Sequence, residues 1–348
     1  MTGPVRPYRL LALSGGGLNG AFGIGVLNGW SESGTRPPFD VVTGTSAGAM
    51  IATFEFLGPQ YDDLLRREGV GLVTSDILHR RSVFVLPFAD AVFSSHPIEH
   101  RLERLITPEL LREVATAHAA GRRLYVGTTN LDTRRFVIWD MGAIASRGTP
   151  AAVDLYRRII LASASIPGAF PPVRIPVEID GNTYEELHAD GGLSEGVFFR
   201  PFMVEELNRL NGRSGPTAVP GSTLYVISHW KMYSNPSCVR PFLPSLLSTA
   251  TWANLHSKVR GDLARVYLEC LRAGVEYRAT AIPEDLPVRN ELLRLNRNEQ
   301  EELFEAGRTI GAGGPTGPEW RDHPPGYDIG DQSRPRTGTV FVTRQAEK

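Results

Sequence analysis

Lysine is nearly missing from this chain. Of its 37 basic residues only Lys231, Lys258 and Lys348 are lysine, and the arginines are spread along the whole length. With 38 acidic residues the net charge is −1. There is no basic surplus of the kind a nucleic-acid-binding protein carries, so nucleic acid is not an expected partner. Cysteine is equally scarce: Cys238 and Cys270 are the only two, and no Cys-x-x-Cys occurs. A disulfide framework is therefore not expected, and a reducing, cytoplasmic setting is. No apolar run approaches the roughly 20 residues of a membrane span. The first ten residues hold two prolines and no apolar core, unlike a secretory leader. The expectation is a soluble protein whose contact with a membrane, if it has one, is peripheral.

What is present is ordinary globular material. The 348 residues are 41% hydrophobic and 22% charged, enough for one large domain. Strand-like runs at Tyr8–Leu13, Val41–Thr45, Arg123–Thr129 and Thr223–Ser228 are separated by helical patterns at Ala21–Trp30, Ala47–Leu57, Ala151–Ala162 and Leu243–Arg272. The alternation in the first half predicts an α/β layer with a largely parallel sheet. Small residues along Ala21–Trp30 suggest close packing on that sheet. Val288–Arg308 reads as a charged surface helix. From residue 311 onward glycine and proline dominate, so a domain over 1–310 is followed by a tail over 311–348, with an edge strand at Val340–Val342.

The central motif is Gly44-Thr45-Ser46-Ala47-Gly48, in which an apolar strand turns sharply into a helix at Ser46. Gly-x-Ser-x-Gly in this context is the nucleophile elbow, which lifts a hydroxyl clear of the sheet beside the positive end of a helix. A serine at a helix start is also an ordinary cap, so the rest of the chain must decide. Upstream, Ser14-Gly15-Gly16-Gly17-Leu18-Asn19-Gly20 lies between a strand and a helix. Its spacing fits a dinucleotide loop, but Asp40, the nearest acid, begins the second strand instead of ending it, which is wrong for a ribose contact. The alternatives are an oxyanion hole built from the consecutive glycine N–H groups of this exposed loop and a structural glycine turn.

Other motifs carry less. His96-Pro97-Ile98-Glu99-His100 fits an inverted zinc signature, but proline after His96 argues for a helix start there and against metal binding. Leu72–Phe93 is apolar without clean periodicity, and is either a substrate-facing flap or a loop tucked into the core. Asp132 and Asp180 sit in turn sequences. Asp190 differs. It ends a strand and precedes Gly191-Gly192, a carboxylate at the edge of a sheet with little bulk behind it. None of the eight histidines occupies a setting that marks it as a base. An aspartate base is the alternative, provided that burial raises its pKa.

The glycine loop, the Ser46 elbow, the Ala162–Val173 stretch with Phe170-Pro171-Pro172, and Asp190-Gly191-Gly192 stand in the order seen in patatin-like phospholipases. The resemblance runs from about Tyr8 to about Phe202. It implies a three-layer α/β/α fold and a lipolytic acyl hydrolase acting on phospholipid or other acyl-ester substrates without a cofactor or metal. It also implies Ser46 as nucleophile of a Ser-Asp dyad, Asp190 as base, Gly15–Gly17 as oxyanion hole, and an acyl-serine intermediate. An acyltransferase with the same dyad, or a silent binding protein, are the alternatives. The sequence departs from the family at two places: Asn19 stands where a basic residue is common, and Leu193-Ser194-Glu195-Gly196-Val197 replaces an Asn-x-Pro element.

Overall fold

The computed structural model describes residues 6–71, 79–80, 90–233, 238–287 and 295–326. β1 (Arg9–Leu13) runs through a glycine loop into α1 (Gly20–Glu32), and β2 (Val41–Thr45) turns at Ser46 into α2 (Ala47–Leu57). α3 (Asp62–Gly69) follows, then the short β3 (His79–Arg80) and β4 (Phe93–Ser94), which pair with each other. Next come α4 (His96–Leu105) and α5 (Pro108–Ala119). β5 (Arg123–Asn130) and β6 (Arg135–Asp140) form a hairpin and lead into α6 (Met141–Ala145) and α7 (Pro150–Ser163). A second hairpin joins β7 (Val173–Ile179) to β8 (Asn182–Asp190). The described chain then runs through α8 (Pro201–Leu210), β9 (Thr223–Lys231), α9 (Leu243–Ala273), β10 (Glu276–Ile282) and α10 (Arg297–Ala312).

The main sheet has the order β10-β9-β1-β2-β5-β8-β7, with β6 also paired to β5. Strands from β10 to β5 are parallel to one another, and the pairings beyond β5 are antiparallel. The predicted α/β architecture with a largely parallel sheet is what the chain adopts. Alternation along the central strands produces two cores, because successive side chains point to opposite faces. Leu11, Leu13, Val42, Leu124, Val126 and Ile227 face α1, α2, α7 and α10. Leu10, Ala12, Val41, Tyr125, Leu224 and Val226 face α8 and α9. Helices thus cover both faces, which explains why the central strands carry apolar side chains on both of them.

Two expectations need adjustment. The α1 glycines do not serve the sheet alone. Gly23 lies over His229 of β9, but Gly25 and Gly29 face α10. A Cβ on Gly25 would lie 2.0 Å from the Phe304 carbonyl oxygen, and one on Gly311 would lie 1.9 Å from that of Val26. The two backbones therefore meet through reciprocal Gly-x-x-x-Gly faces, Gly25/Gly29 against Gly307/Gly311. For the same reason α10 is not merely a charged surface helix: Leu303, Phe304, Gly307 and Ile310 are buried, while its glutamates and arginines occupy the outer face. A capping box of Asn296 and Glu299 starts α10. Residues 288–294 lie outside the described residues. Beyond α10, Trp320 is buried and packs edge-on against Trp30 and Tyr225. The strand expected at Val340–Val342 lies outside the described residues, as does most of the Leu72–Phe93 segment. No helix among the described residues is long and apolar enough to cross a membrane.

Candidate active site

β2 delivers Ser46 to the sheet edge in a conformation few L-residues adopt, with φ 55° and ψ −122°. Such a backbone costs on the order of 1–3 kcal/mol and persists only where its surroundings impose it. The surroundings here are two close backbone approaches. A Cβ on Gly44 would lie 2.5 Å from the Gly48 carbonyl oxygen, and one on Gly48 would lie 2.4 Å from that of Leu13. Any side chain at either position would push α2 off β1 and open the turn.

Asp190 reaches the same edge from the antiparallel side. Thr45 of β2 is in register with Gly127 of β5, and the next residue, Thr128, is in register with Asp190. One step along β5 thus places the end of β2 beside the end of β8. The Ser46 hydroxyl donates to Asp190 Oδ2 at 2.6 Å, across 144 residues of chain. Asp190 Oδ1 accepts the Gly192 N–H at 2.7 Å, which fixes the carboxylate plane. The Asp190 N–H donates to the Ser165 carbonyl at 2.9 Å, and the Thr129 hydroxyl donates to the Asp190 carbonyl at 3.0 Å. Burial pushes the Asp190 carboxyl up to about 6, while the Ser46 and Gly192 hydrogen bonds and the Lys258 charge act in the other direction. A carboxylate so raised can take a hydroxyl proton near neutral pH, where an ordinary aspartate is too weak a base.

His188 and His229 are engaged elsewhere. His188 is hydrogen-bonded through Nδ1 to Thr128 and through Nε2 to Glu186. His229 donates from Nδ1 to the Ser14 carbonyl at 2.6 Å, and burial pushes its pKa down to about 4. Neither meets the Ser46 hydroxyl. Of the zinc-like motif, Glu99 accepts from the Ser95 hydroxyl and His100 pairs with Glu103.

The glycine loop lies against Ser46, since a Cβ on Gly15 would lie 3.1 Å from the Ser46 Cβ. The loop's three N–H groups are not equivalent, which corrects the expectation that all three face the site. Gly15 donates its N–H to the Gly196 carbonyl at 2.8 Å and so tethers the loop. The Gly16 and Gly17 N–H groups have no partner among the described residues. Both departures from the family pattern take part in holding this loop. The Asn19 side-chain amide donates to the His229 carbonyl at 3.2 Å. Gly196, within the segment that replaces Asn-x-Pro, accepts from Gly15 and donates its own N–H to Asp262 Oδ2 at 2.7 Å.

Sequence reasoning missed Ser163 and His229. Ser163 accepts the Ser46 N–H through its hydroxyl; it lies in the Ala162–Val173 stretch, but its spacing gave no sign that it would meet Ser46. His229 packs against Gly16 and Gly23 from more than 200 residues away, and nothing local marks it.

Beside Ser46 a cavity of about 350 Å³ opens between α1, α2, α3 and α4. Leu18, Ile24, Met50, Ile51, Phe54 and Ile98 give it an apolar wall. Glu68, Arg101 and Arg104 also line it, with both arginines paired to Glu68 Oε2, at 2.9 and 2.6 Å. A serine hydroxyl, a buried carboxylate, free N–H groups and an apolar cleft are a set suited to attack on an ester carrying a hydrocarbon chain.

A family model described as patatin-like phospholipase matches residues 11–203. No curated protein matches the chain. Among solved structures, VipD from Legionella pneumophila is similar at 11% identity and a TM-score of 0.43, covering 88% of this chain and 66% of that one. The type III effector protein ExoU is similar at 16% identity and a TM-score of 0.29, covering 89% of this chain and 53% of that one. The chain thus spans less than two thirds of either structure. The family match covers more than half of the chain and takes in the glycine loop, the Ser46 elbow and Asp190, and the protein belongs to the patatin-like phospholipase family.

Proposed function

We propose that the protein hydrolyses fatty-acyl esters of lipids by a Ser46–Asp190 dyad through an acyl-serine intermediate. The observation that carries this reading is the 2.6 Å hydrogen bond from the Ser46 hydroxyl to Asp190, at the head of an apolar cavity. Asp190 takes the Ser46 proton as Oγ attacks the ester carbonyl. The carbonyl oxygen gathers negative charge and is met by the Gly16 and Gly17 N–H groups, with the positive end of α2 close by. Asp190 returns the proton to the departing alcohol or lysolipid oxygen, leaving the acyl group on Ser46. Water then gives a proton to Asp190 and attacks the acyl carbonyl, and the fatty acid leaves as Ser46 regains its hydrogen. Asp190 holds the proton between steps, a role that its raised pKa suits.

The test compares the wild type with Ser46→Ala on p-nitrophenyl esters and on a mixed-lipid extract. The expected result is release of fatty acid by the wild type and a loss of roughly 10³-fold or more in the variant, as for removal of a nucleophile that acts with its base, with an unchanged fold. Undiminished turnover by Ser46→Ala would overturn the proposal.

A further inference from the structure

α9 is too long for the sheet it covers. Its 31 residues span about 46 Å, whereas the nine residues of β9 span about 30 Å. The surplus lies at one end. The C-terminal half carries Val259, Leu263, Val266, Cys270 and Ala273 into the core, and Gly274 closes the helix where β10 begins. His256 marks the other limit of the packed part: its Nε2 donates to the carbonyl of Lys231, the last residue of β9, at 2.9 Å. Everything in α9 before His256 lies beyond the end of β9.

The overhang is at the catalytic edge. Leu13 of β1 is in register with Gly44 of β2 and with Ile227 of β9. These strands are parallel, so Ser46 and Lys231 both lie onward from that line in the same direction. The first half of α9 therefore stands out past the edge on which Ser46 sits.

Its composition is wrong for a helix in water. A helix that stands free of the protein is normally polar or charged all round. Here no Asp, Glu, Lys or Arg lies between Arg240 and Lys258, and no Asp or Glu lies between Glu206 and Asp262. Phe242, Leu243, Leu246 and Leu247 are 53%, 68%, 48% and 59% exposed. Arg240, just ahead of them, is also exposed.

We propose that the N-terminal half of α9 is an interfacial docking helix that inserts its exposed leucines and Phe242 into an anionic lipid surface. The lack of carboxylates removes repulsion from lipid phosphates, and Arg240 adds attraction. The position at the Ser46 edge brings that end of the sheet to the lipid–water boundary. The proposal rests on the lipolytic reading for its purpose, but the binding itself needs no catalysis.

The experiment uses the full chain carrying Ser46→Ala, so that vesicles stay intact, and vesicles of phosphatidylglycerol and phosphatidylcholine. The Ser46→Ala protein is expected to co-sediment with these vesicles, and adding Leu246→Glu and Leu247→Glu to weaken partitioning roughly tenfold or more. With Ser46 restored, the Leu246→Glu/Leu247→Glu variant should hydrolyse the water-soluble p-nitrophenyl butyrate at the wild-type rate and vesicle lipid at about a tenth of it. Equal vesicle binding with and without the glutamates would overturn the proposal. So would a wild type that stays off vesicles, including one that instead forms a dimer which the glutamates dissociate. Glutamate-sensitive binding without hydrolysis of either substrate by the wild type would overturn the lipolytic reading and leave the docking helix standing.

Discussion

Ser163 stands directly behind Ser46. Its hydroxyl accepts the Ser46 N–H at 2.9 Å and donates to the Gly127 carbonyl at 2.7 Å. The residue at the end of α7 thus pins the nucleophile turn to β5, the strand that also positions Asp190. Ser163→Ala leaves a buried Ser46 N–H without an acceptor. The expected cost is about 1–3 kcal/mol of stability, measured by urea unfolding. A fall in kcat of about tenfold, with little change in KM, is expected as the Ser46 turn loosens.

The raised Asp190 pKa predicts the pH dependence of turnover. Asp190 accepts a proton only when ionised, so kcat should rise with pH through about 6 and level off above it. Initial rates on a soluble ester from pH 4 to pH 8 check this.

The same shift has a stability consequence of definite sign. A carboxyl whose folded pKa lies above its unfolded value stabilises the fold below the unfolded pKa, and that contribution is lost as pH rises through the folded one. The buried Asp190 charge therefore costs on the order of 2–3 kcal/mol above about pH 7. Asp190→Asn should be inactive, and its stability relative to the wild type should improve between about pH 4 and pH 7 and then stop changing. Parallel denaturation curves at several pH values measure it.

Arg36 is held by two acids, Glu55 and Asp62, and the side chains of Arg36 and Glu55 are almost wholly buried. Burial pushes the Glu55 carboxyl up to about 7 against the pull of Arg36. Removing the guanidinium strands that carboxyl in the core. Arg36→Met should cost about 3–5 kcal/mol at neutral pH. Adding Glu55→Gln should restore part of it, since the residual charge is then gone. Thermal unfolding of the single and double variants separates the two effects.

The α1–α10 crossing offers a test away from the chemistry. A Cβ on Gly29 would lie 1.9 Å from the Arg308 carbonyl oxygen, a backbone atom that cannot step aside. Gly29→Ala must force the helices apart, at an expected cost of about 1–3 kcal/mol. Ser46 and Asp190 are not part of this contact, so kcat measured well below the lowered Tm should stay near the wild-type value.

The elements themselves were largely legible in the sequence. Apolar runs of strand length between helical patterns marked β1, β2, β5 and β9. The Gly44–Gly48 spacing marked the turn at Ser46, and an acid at a strand end before two glycines marked Asp190. These signals are local, because backbone geometry and side-chain period act over a few residues. The parallel order of the central strands and the covering of both their faces follow from the apolar character of β1, β2 and β5, which leaves no face to water.

Tertiary structure decided what lies far apart in sequence. Only the register of β2, β5 and β8 determines that Ser46 and Asp190 meet at hydrogen-bond distance. Only burial, a property of the assembled core, raises the Asp190 pKa into a useful range. Gly15 looked equal to Gly16 and Gly17 until the fold brought the Gly196 carbonyl to its N–H. The α1 glycines looked like sheet contacts until α10 arrived from the other end of the chain to meet them. The sequence by itself determined which groups were available, since residue identity sets chemistry and local turn geometry. The fold decided which of those groups face one another, because long-range pairing, desolvation and close backbone approach exist only once the chain is packed.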